Sequence, residues 1–243
     1  MAKSRQRLDL ALVERKLASS RSQAQDLIVS DKVMVNQAIV SKPASRVAAS
    51  DTVALTGDAP KFVSRAGGKL EGALKEFGID PKGLVCLDVG SSTGGFTDLL
   101  LQNGASHITC VDVGTNQLHE KVSKNPRVEV REQTDIRKFK PHKTFDLVVV
   151  DVSFISITSI SQSLAELTAD GGQLICLVKP QFEVGKKYVS KGRGIITNPE
   201  LWSYALKRVI ADLLDKGFTA KEIAPSSVVG TTGNQEFVVY LAG

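Results

Sequence analysis

From residue 84 onward the chain alternates short, continuous apolar runs with stretches of helical periodicity. The runs lie at 84–87, 108–111, 128–130, 147–150 and 174–178, with weaker ones at 218–223 and 236–241. A strand buried on both faces of a parallel sheet reads as such an unbroken run, and helical intervals between the strands predict a mainly parallel sheet covered on both sides. The last two runs fit an antiparallel hairpin at one edge. Ligands of such sheets bind beyond the carboxyl ends of the strands, which directs attention to Asp88, Asp112, Asp135, Asp151 and Lys179.

The first 59 residues follow another pattern. Leu8, Leu12, Val13 and Leu17 recur at helical spacing, and Ser20 is placed to cap a second helix containing Ala24, Leu27 and Ile28. Val33 and Val35 are followed by Ile39 and Val40 across Asn36-Gln37, a hairpin signal because Asn tolerates positive φ. Val53-Ala54-Leu55 adds a strand before Gly57-Asp58-Ala59-Pro60 breaks the pattern. The chain therefore divides into a small α+β domain at 1–59, a linker at 60–63 and an α/β domain at 64–243. The second domain opens with a helix over 64–77 whose apolar stripe is Leu70, Ala73, Leu74 and Phe77. Lys69 lies opposite that stripe, where periodicity alone predicts a solvated lysine.

The 243 residues are 42% hydrophobic and 23% charged, values of an ordinary folded domain with a small appended module. Net charge is +5, and residues 1–60 hold nine Lys and Arg against six acids, an excess that favours a polyanionic partner. Cys86, Cys110 and Cys176 each lie in an apolar run, as small buried hydrophobes do, and suit a reducing cytoplasm better than a disulfide framework. His107, His119 and His142 form no ligand-spaced cluster, so no metal is expected. The basic start is interrupted by Asp9, Glu14, Arg15 and Lys16, unlike a signal peptide, and no apolar run approaches the roughly 18 residues of a membrane span. A cytoplasmic protein without membrane association follows.

The first strand of the second domain runs into Asp88-Val89-Gly90-Ser91-Ser92-Thr93-Gly94-Gly95-Phe96. Glycines there let the backbone turn sharply and approach a ligand. A P-loop would need Gly-Lys-Ser/Thr and a dinucleotide turn G-x-G-x-x-G, and neither is present. The order Asp88-x-Gly90-x-x-x-Gly94-Gly95 instead resembles the S-adenosylmethionine turn of Rossmann-like methyltransferases. That resemblance implies cofactor contacts from Asp88, Gly90, Ser92, Thr93, Gly94, Gly95 and Phe96. Asp112, 24 residues later with Val113 beside it, is placed to accept hydrogen bonds from ribose hydroxyls, and Asp135 to accept one from the adenine amino group.

Enzymes that methylate exocyclic amines carry a D/N-P-P-Y/F sequence after the fourth strand, whereas this chain has Asp151-Val152-Ser153-Phe154. Lys69, Asp151, Lys179 and Glu236 resemble the Lys-Asp-Lys-Glu tetrad of FtsJ/RrmJ-type ribose 2′-O-methyltransferases. A ribose hydroxyl is a poor nucleophile until its proton is removed, and a lysine can serve as base where burial and a second cation favour its neutral form. The resemblance places Lys179 nearest the hydroxyl, with Asp151 and Glu236 orienting the cations and Lys69 supplying the second charge. Methyl transfer is an in-line displacement, so alignment carries much of the catalysis.

At the N-terminus, Arg7-Leu8-Asp9, Leu12-Val13, Ser20-Arg21, Ala24, Leu27-Ile28, Val33-x-Val35-Asn36 and Lys42-Pro43 resemble the S4 RNA-binding domain over residues 5–55. The implied RNA contacts are Arg5, Arg7, Arg21 and Lys42, with Arg65 joining them from the next domain. Asp31-Lys32 and Gln37 depart from the pattern where glycine is common, which concerns turn geometry. Together with Ser64-Arg65-Ala66-Gly67-Gly68-Lys69-Leu70 and Val178-Lys179-Pro180-Gln181-Phe182-Glu183-Val184-Gly185, these motifs resemble the TlyA family over nearly the whole chain. Its members are S-adenosylmethionine-dependent 2′-O-methyltransferases of cytidine in ribosomal RNA, and some have been labelled hemolysins. Ribosomal RNA, within a ribosomal subunit, is then the expected partner. The ending at Gly243 leans towards the form acting only on large-subunit RNA.

The glycine-flanked segment 185–194, with Lys186, Lys187, Lys191 and Arg193, is expected to be a mobile RNA-contacting loop. Two other readings stay open: a membrane-active hemolysin, which would need an apolar span or a broad amphipathic face that the sequence does not clearly show, and an RNA-binding assembly factor without activity.

Overall fold

The computed structural model describes residues 5–243 except 19, 57–60, 193, 231 and 232. The N-terminal unit comprises β1 (Arg5–Arg7), α1 (Leu8–Glu14), α2 (Arg21–Val29), β2 (Val33–Val35), β3 (Ala38–Ile39), β4 (Arg46–Ala48) and β5 (Val53–Leu55). Its helices bury Leu8, Leu12, Leu27 and Ile28 against Val33 and Val47. Ser20 caps α2 as its position predicts, its Oγ accepting from Gln23 N at 3.2 Å. β2 is the centre of a three-stranded sheet, and β1 pairs antiparallel with β4. The β2–β3 turn places Asn36 at φ 49° and Gln37 at φ 70°, so the hairpin adopts the left-handed pair of a two-residue turn without a glycine. β1 and β4, three residues each, are too short to announce themselves by periodicity.

The second unit runs α3 (Ala66–Phe77), β6 (Val85–Val89), α4 (Gly95–Gln102), β7 (His107–Val111), α5 (Glu120–Ser123), β8 (Val128–Arg131), β9 (Phe145–Val150), α6 (Ser161–Leu167), β10 (Thr168–Val178), α7 (Pro180–Glu183), α8 (Lys186–Lys191), α9 (Pro199–Asp215), β11 (Thr219–Pro225) and β12 (Phe237–Ala242). Its seven strands lie in the order β11-β12-β10-β9-β6-β7-β8. The five strands from β8 to β10 are parallel, while β12 runs antiparallel to β10 and to its edge partner β11. Successive side chains point to opposite faces. Leu87, Val148, Val150 and Cys176 accordingly pack with α6 and α9, while Cys86, Leu147, Val149 and Ile175 pack with α3 and α4. At roughly 1.5–3 kcal/mol per fully buried aliphatic side chain, these two layers supply the main drive for assembly.

Two expectations are corrected. Of the anticipated linker, Pro60 lies outside the described residues, but Phe62 is buried in the core that holds Leu70 and Leu99, and Val63 is buried as well. A Cβ on Gly67 would stand 2.5 Å from the Phe62 ring, and Val63 N donates to Asp98 Oδ2 at 2.9 Å. This segment therefore belongs to the second unit, which touches the first through Arg65 Nε and Asp26 Oδ1, 3.0 Å apart. The segment anticipated as a loop at 185–194 instead contains α8, and Val189 packs against the cluster of Val184, Ile196 and Ala205. Arg193 and the side chain of Lys191 lie outside the description.

Candidate active site

The chain leaves β6 towards β7 and β8 on one side and returns to β9 on the other, so the sheet opens at its carboxyl end between β6 and β9. This is the switch point at which α/β sheets bind ligands. Gly90, at φ 80°, packs against the facing strand end: a Cβ there would stand 2.6 Å from the Asp151 carbonyl oxygen. Gly94, at φ 90°, leads into α4, and its Cβ would stand 2.9 Å from the Leu118 side chain.

Asp88 lies within β6 and is fully buried. Its Oδ2 accepts from Thr97 N at 3.1 Å and Thr97 Oγ1 at 2.6 Å, whereas Oδ1 is buried without a hydrogen-bond partner. Burial pushes the Asp88 carboxyl up to about 7; Thr97 opposes the shift, and the nearby carboxylates of Asp151 and Asp112 add to it. Asp112, directly after β7, accepts from Ser92 N at 2.8 Å and Gly114 N at 2.7 Å. A cavity of about 440 Å³ opens beside this strand end and the next, where Asp112, Val113, Asp135 and Arg137 line it, and residues 151–155 line it as well. Val113 is 74% exposed there. Asp135 reaches the same cavity, but Arg137 holds it through Nε at 2.9 Å and Nη2 at 2.5 Å, which keeps its carboxyl down at about 2. An adenine amino group would have to share this carboxylate with Arg137.

A second cavity, of about 380 Å³, adjoins the first through Gly90, Ser92, Asp151, Ser153 and Phe154. Ser92, Thr93 and Phe96 border it on the turn side, and Gly95 sits so close to Ser64 that a Cβ would reach within 2.3 Å of its Oγ. Lys69, Asp151, Lys179 and Glu236 all line this cavity, each brought by a different element. Lys69, from α3, is only 9% exposed and donates to Glu236 Oε2 at 2.5 Å, so the solvated position anticipated from periodicity is wrong. Glu236 immediately precedes β12 rather than lying within it. Lys179, 8% exposed, donates to Ser153 Oγ at 2.9 Å. Asp151 Oδ1 lies 2.6 Å from Lys179 Nζ, an ion pair outside the hydrogen-bonding directions. Buried ammonium groups are costly unless paired, and here each lysine has its own carboxylate.

A model of the FtsJ-like methyltransferase family matches residues 62–242, and a model of the S4 domain matches residues 6–53. The chain belongs to the FtsJ-like methyltransferase family. The 16S/23S rRNA (cytidine-2′-O)-methyltransferase TlyA of Mycobacterium tuberculosis is 41% identical over 243 residues, covering 98% of this chain and 90% of that protein. Hemolysin A of Brachyspira hyodysenteriae is 38% identical over 238 residues, covering 96% and 98%. A solved structure described as a hemolysin from Streptococcus thermophilus superposes with a TM-score of 0.78 at 36% identity, over 99% of this chain and 89% of that one. The N-methyltransferase NodS of Bradyrhizobium japonicum, solved with S-adenosyl-L-homocysteine, shares the fold at a TM-score of 0.53 and 15% identity, over 72% and 86%. No described helix of this FtsJ-like methyltransferase is long and apolar enough to cross a membrane.

On the S4 unit, one buried carboxylate organises two of the anticipated RNA-binding arginines. Asp9 accepts from Arg7 Nη2 at 2.9 Å, Arg21 Nε at 3.0 Å and Gln25 Nε2 at 2.9 Å, and the Arg7 hydrogen bond leads in holding its carboxyl well below the usual range. Arg5 and Lys42 are exposed. Arg65 lines the tetrad cavity beside Asp26, so a side chain of each unit meets at its rim. Sequence reasoning missed Ser153, Arg137 and Phe154. Phe154 is 91% exposed with φ 67°, its ring centroid 5.3 Å from that of Phe182. An aromatic residue in a loop at a strand end was the available signal, but its left-handed backbone was not.

Proposed function

We propose that this methyltransferase transfers the methyl group of S-adenosylmethionine to the 2′-hydroxyl of a cytidine in ribosomal RNA. The supporting observation is the pair of buried lysine–carboxylate contacts, Lys179–Asp151 and Lys69–Glu236, lining one cavity with Asp88. The site fits the methyl donor: Asp88 Oδ1 is a buried acceptor without a partner, suited to a cationic ligand, and Gly90 and Gly94 leave no room for side chains beside it. Asp112 would hold the ribose hydroxyls, with Val113 against the adenine face and Asp135 at its edge. When bound, S-adenosylmethionine supplies an electrophilic methyl on a sulfonium centre.

Lys179 Nζ is the group that receives the hydroxyl proton, and Asp151, 2.6 Å away, stabilises the ammonium that results. Ser153 fixes the direction of Nζ, while Lys69, held by Glu236, adds the positive field that favours the developing alkoxide. Phe154 presents an exposed ring at both cavities, a face on which an unstacked base can lie. The S4 unit contributes Arg5, Arg7, Arg21 and Lys42, with Arg65 at the rim, to phosphate contacts that position the RNA. A cytoplasmic setting suits the three buried free cysteines. Incubating ribosomal subunits with methyl-labelled S-adenosylmethionine and digesting the RNA to nucleosides tests the reading. Label in 2′-O-methylcytidine is expected, whereas label in a base, or none with any subunit form, contradicts it.

A further inference from the structure

Asp151 and Lys179 sit one residue beyond the ends of β9 and β10, whose parallel pairing reaches Cys176 and Val150. The sheet thus fixes where these two residues leave it, but Ser153 and Phe154 lie farther out, in a loop that needs another anchor. Phe154 aggravates that need, because a left-handed backbone at a bulky residue is strained and persists only where its surroundings enforce it.

The anchor is in the other loop. Glu183, the last residue of α7 and 3% exposed, spans from the segment after Lys179 to the segment after Phe154. Its Oε2 accepts from Ser156 Oγ at 2.5 Å, and its Oε1 accepts from Ile157 N at 2.9 Å. Arg208 of α9 backs the same junction, donating to the Glu183 carbonyl at 2.8 Å and to Thr158 Oγ1 at 3.1 Å. Ser156 Oγ and Thr158 Oγ1, 2.8 Å apart, close the network. At the other end, Phe182 N donates to Lys179 O at 2.9 Å, tying the α7 turn to the lysine itself.

We infer that Glu183 is a positioning residue for methyl transfer, bracing the Ser153–Phe154 loop against the Lys179 turn so that Ser153 Oγ stays within reach of Lys179 Nζ. It touches none of the reacting atoms. The inference rests on the proposed function for its kinetic consequence and on geometry alone for its structural one.

Three variants test it in the full-length protein. Glu183→Ala removes both contacts, Ser156→Ala removes one, and Glu183→Gln can keep both if the Ser156 hydroxyl turns towards Thr158 and accepts from the new amide. With ribosomal subunits as substrate, kcat is expected to fall roughly 10²-fold in Glu183→Ala, the scale of a misplacement of about 1 Å. The dissociation constant for S-adenosylmethionine should stay within about twofold, and Glu183→Gln should recover most of the rate. Adding Ser156→Ala to Glu183→Ala should cost little more, because both break one link. Equal kcat in wild type and Glu183→Ala, or cofactor binding lost in step with kcat, overturns the assignment. A crystal structure of Glu183→Ala, or of Ser156→Ala should the first not fold, decides the matter independently of turnover. The Ser153–Lys179 contact of 2.9 Å should be lost, and its survival overturns the inference even where wild type proves inactive on every RNA.

Discussion

Asp88 carries a proton at pH values where an exposed aspartate has none. Its ordinary value is 3.8 and its folded value about 7, so between the two the folded protein binds a proton that the unfolded chain releases. Stability of the cofactor-free protein therefore falls as pH rises from about 4 to about 7 and levels off above, by at most about 4 kcal/mol. Asp88→Asn should remove that component, melting a few degrees above wild type at pH 8 in thermal scans while binding S-adenosylmethionine at least about tenfold more weakly. An unchanged difference in melting temperature between pH 5 and pH 8 would show that burial is not what holds the proton. Phe154 has a cost of another kind, backbone strain, and both residues border the cavities where ligand binding could offset it.

The turn after β6 and the loop after β9 work as one element, because Gly90 lets them touch. Gly90→Ala sets a Cβ only 2.6 Å from the Asp151 carbonyl oxygen and demands a left-handed alanine, so Asp151 must move. Steady-state assays should show kcat/KM at least about 10²-fold lower, with cofactor affinity reduced as well; a near-wild-type enzyme would refute the close contact. Elements of this kind were readable in the sequence where one local rule decided them. Four of the five parallel strands, β6, β7, β9 and β10, end in stretches buried on both faces and so spell apolar runs, whereas the edge strand β8 is half-exposed. The burial of Lys69 was not readable from periodicity, since it depends on Glu236, 167 positions away, and only the family resemblance pointed to this residue. The glycines around α8 suggested a loop because composition does not reveal that Val189 finds a pocket formed by Val184, Ile196 and Ala205. Phe62 and Val63 looked like a linker for the same reason: the partners of Phe62, Leu70 and Leu99, and that of Val63 N, Asp98, belong to other elements.

Under the proposed function the two units divide the work, one carrying the phosphate-contacting side chains and the other the methyl transfer, with Asp26–Arg65 at their junction. Replacing Arg5 and Lys42 with alanine should weaken binding to ribosomal subunits and lower the salt dependence of log Kd by about 0.7–0.9 per lost phosphate contact, leaving cofactor affinity unchanged. An identical salt slope in a titration series would place the RNA elsewhere. The central claim is that the chemistry turns on Lys179, and single-turnover methyl transfer to ribosomal subunits at saturating S-adenosylmethionine, wild type against Lys179→Ala, tests it most directly. The variant should bind cofactor normally and transfer methyl at least about 10³-fold more slowly, whereas equal rates in the two proteins would contradict the assignment.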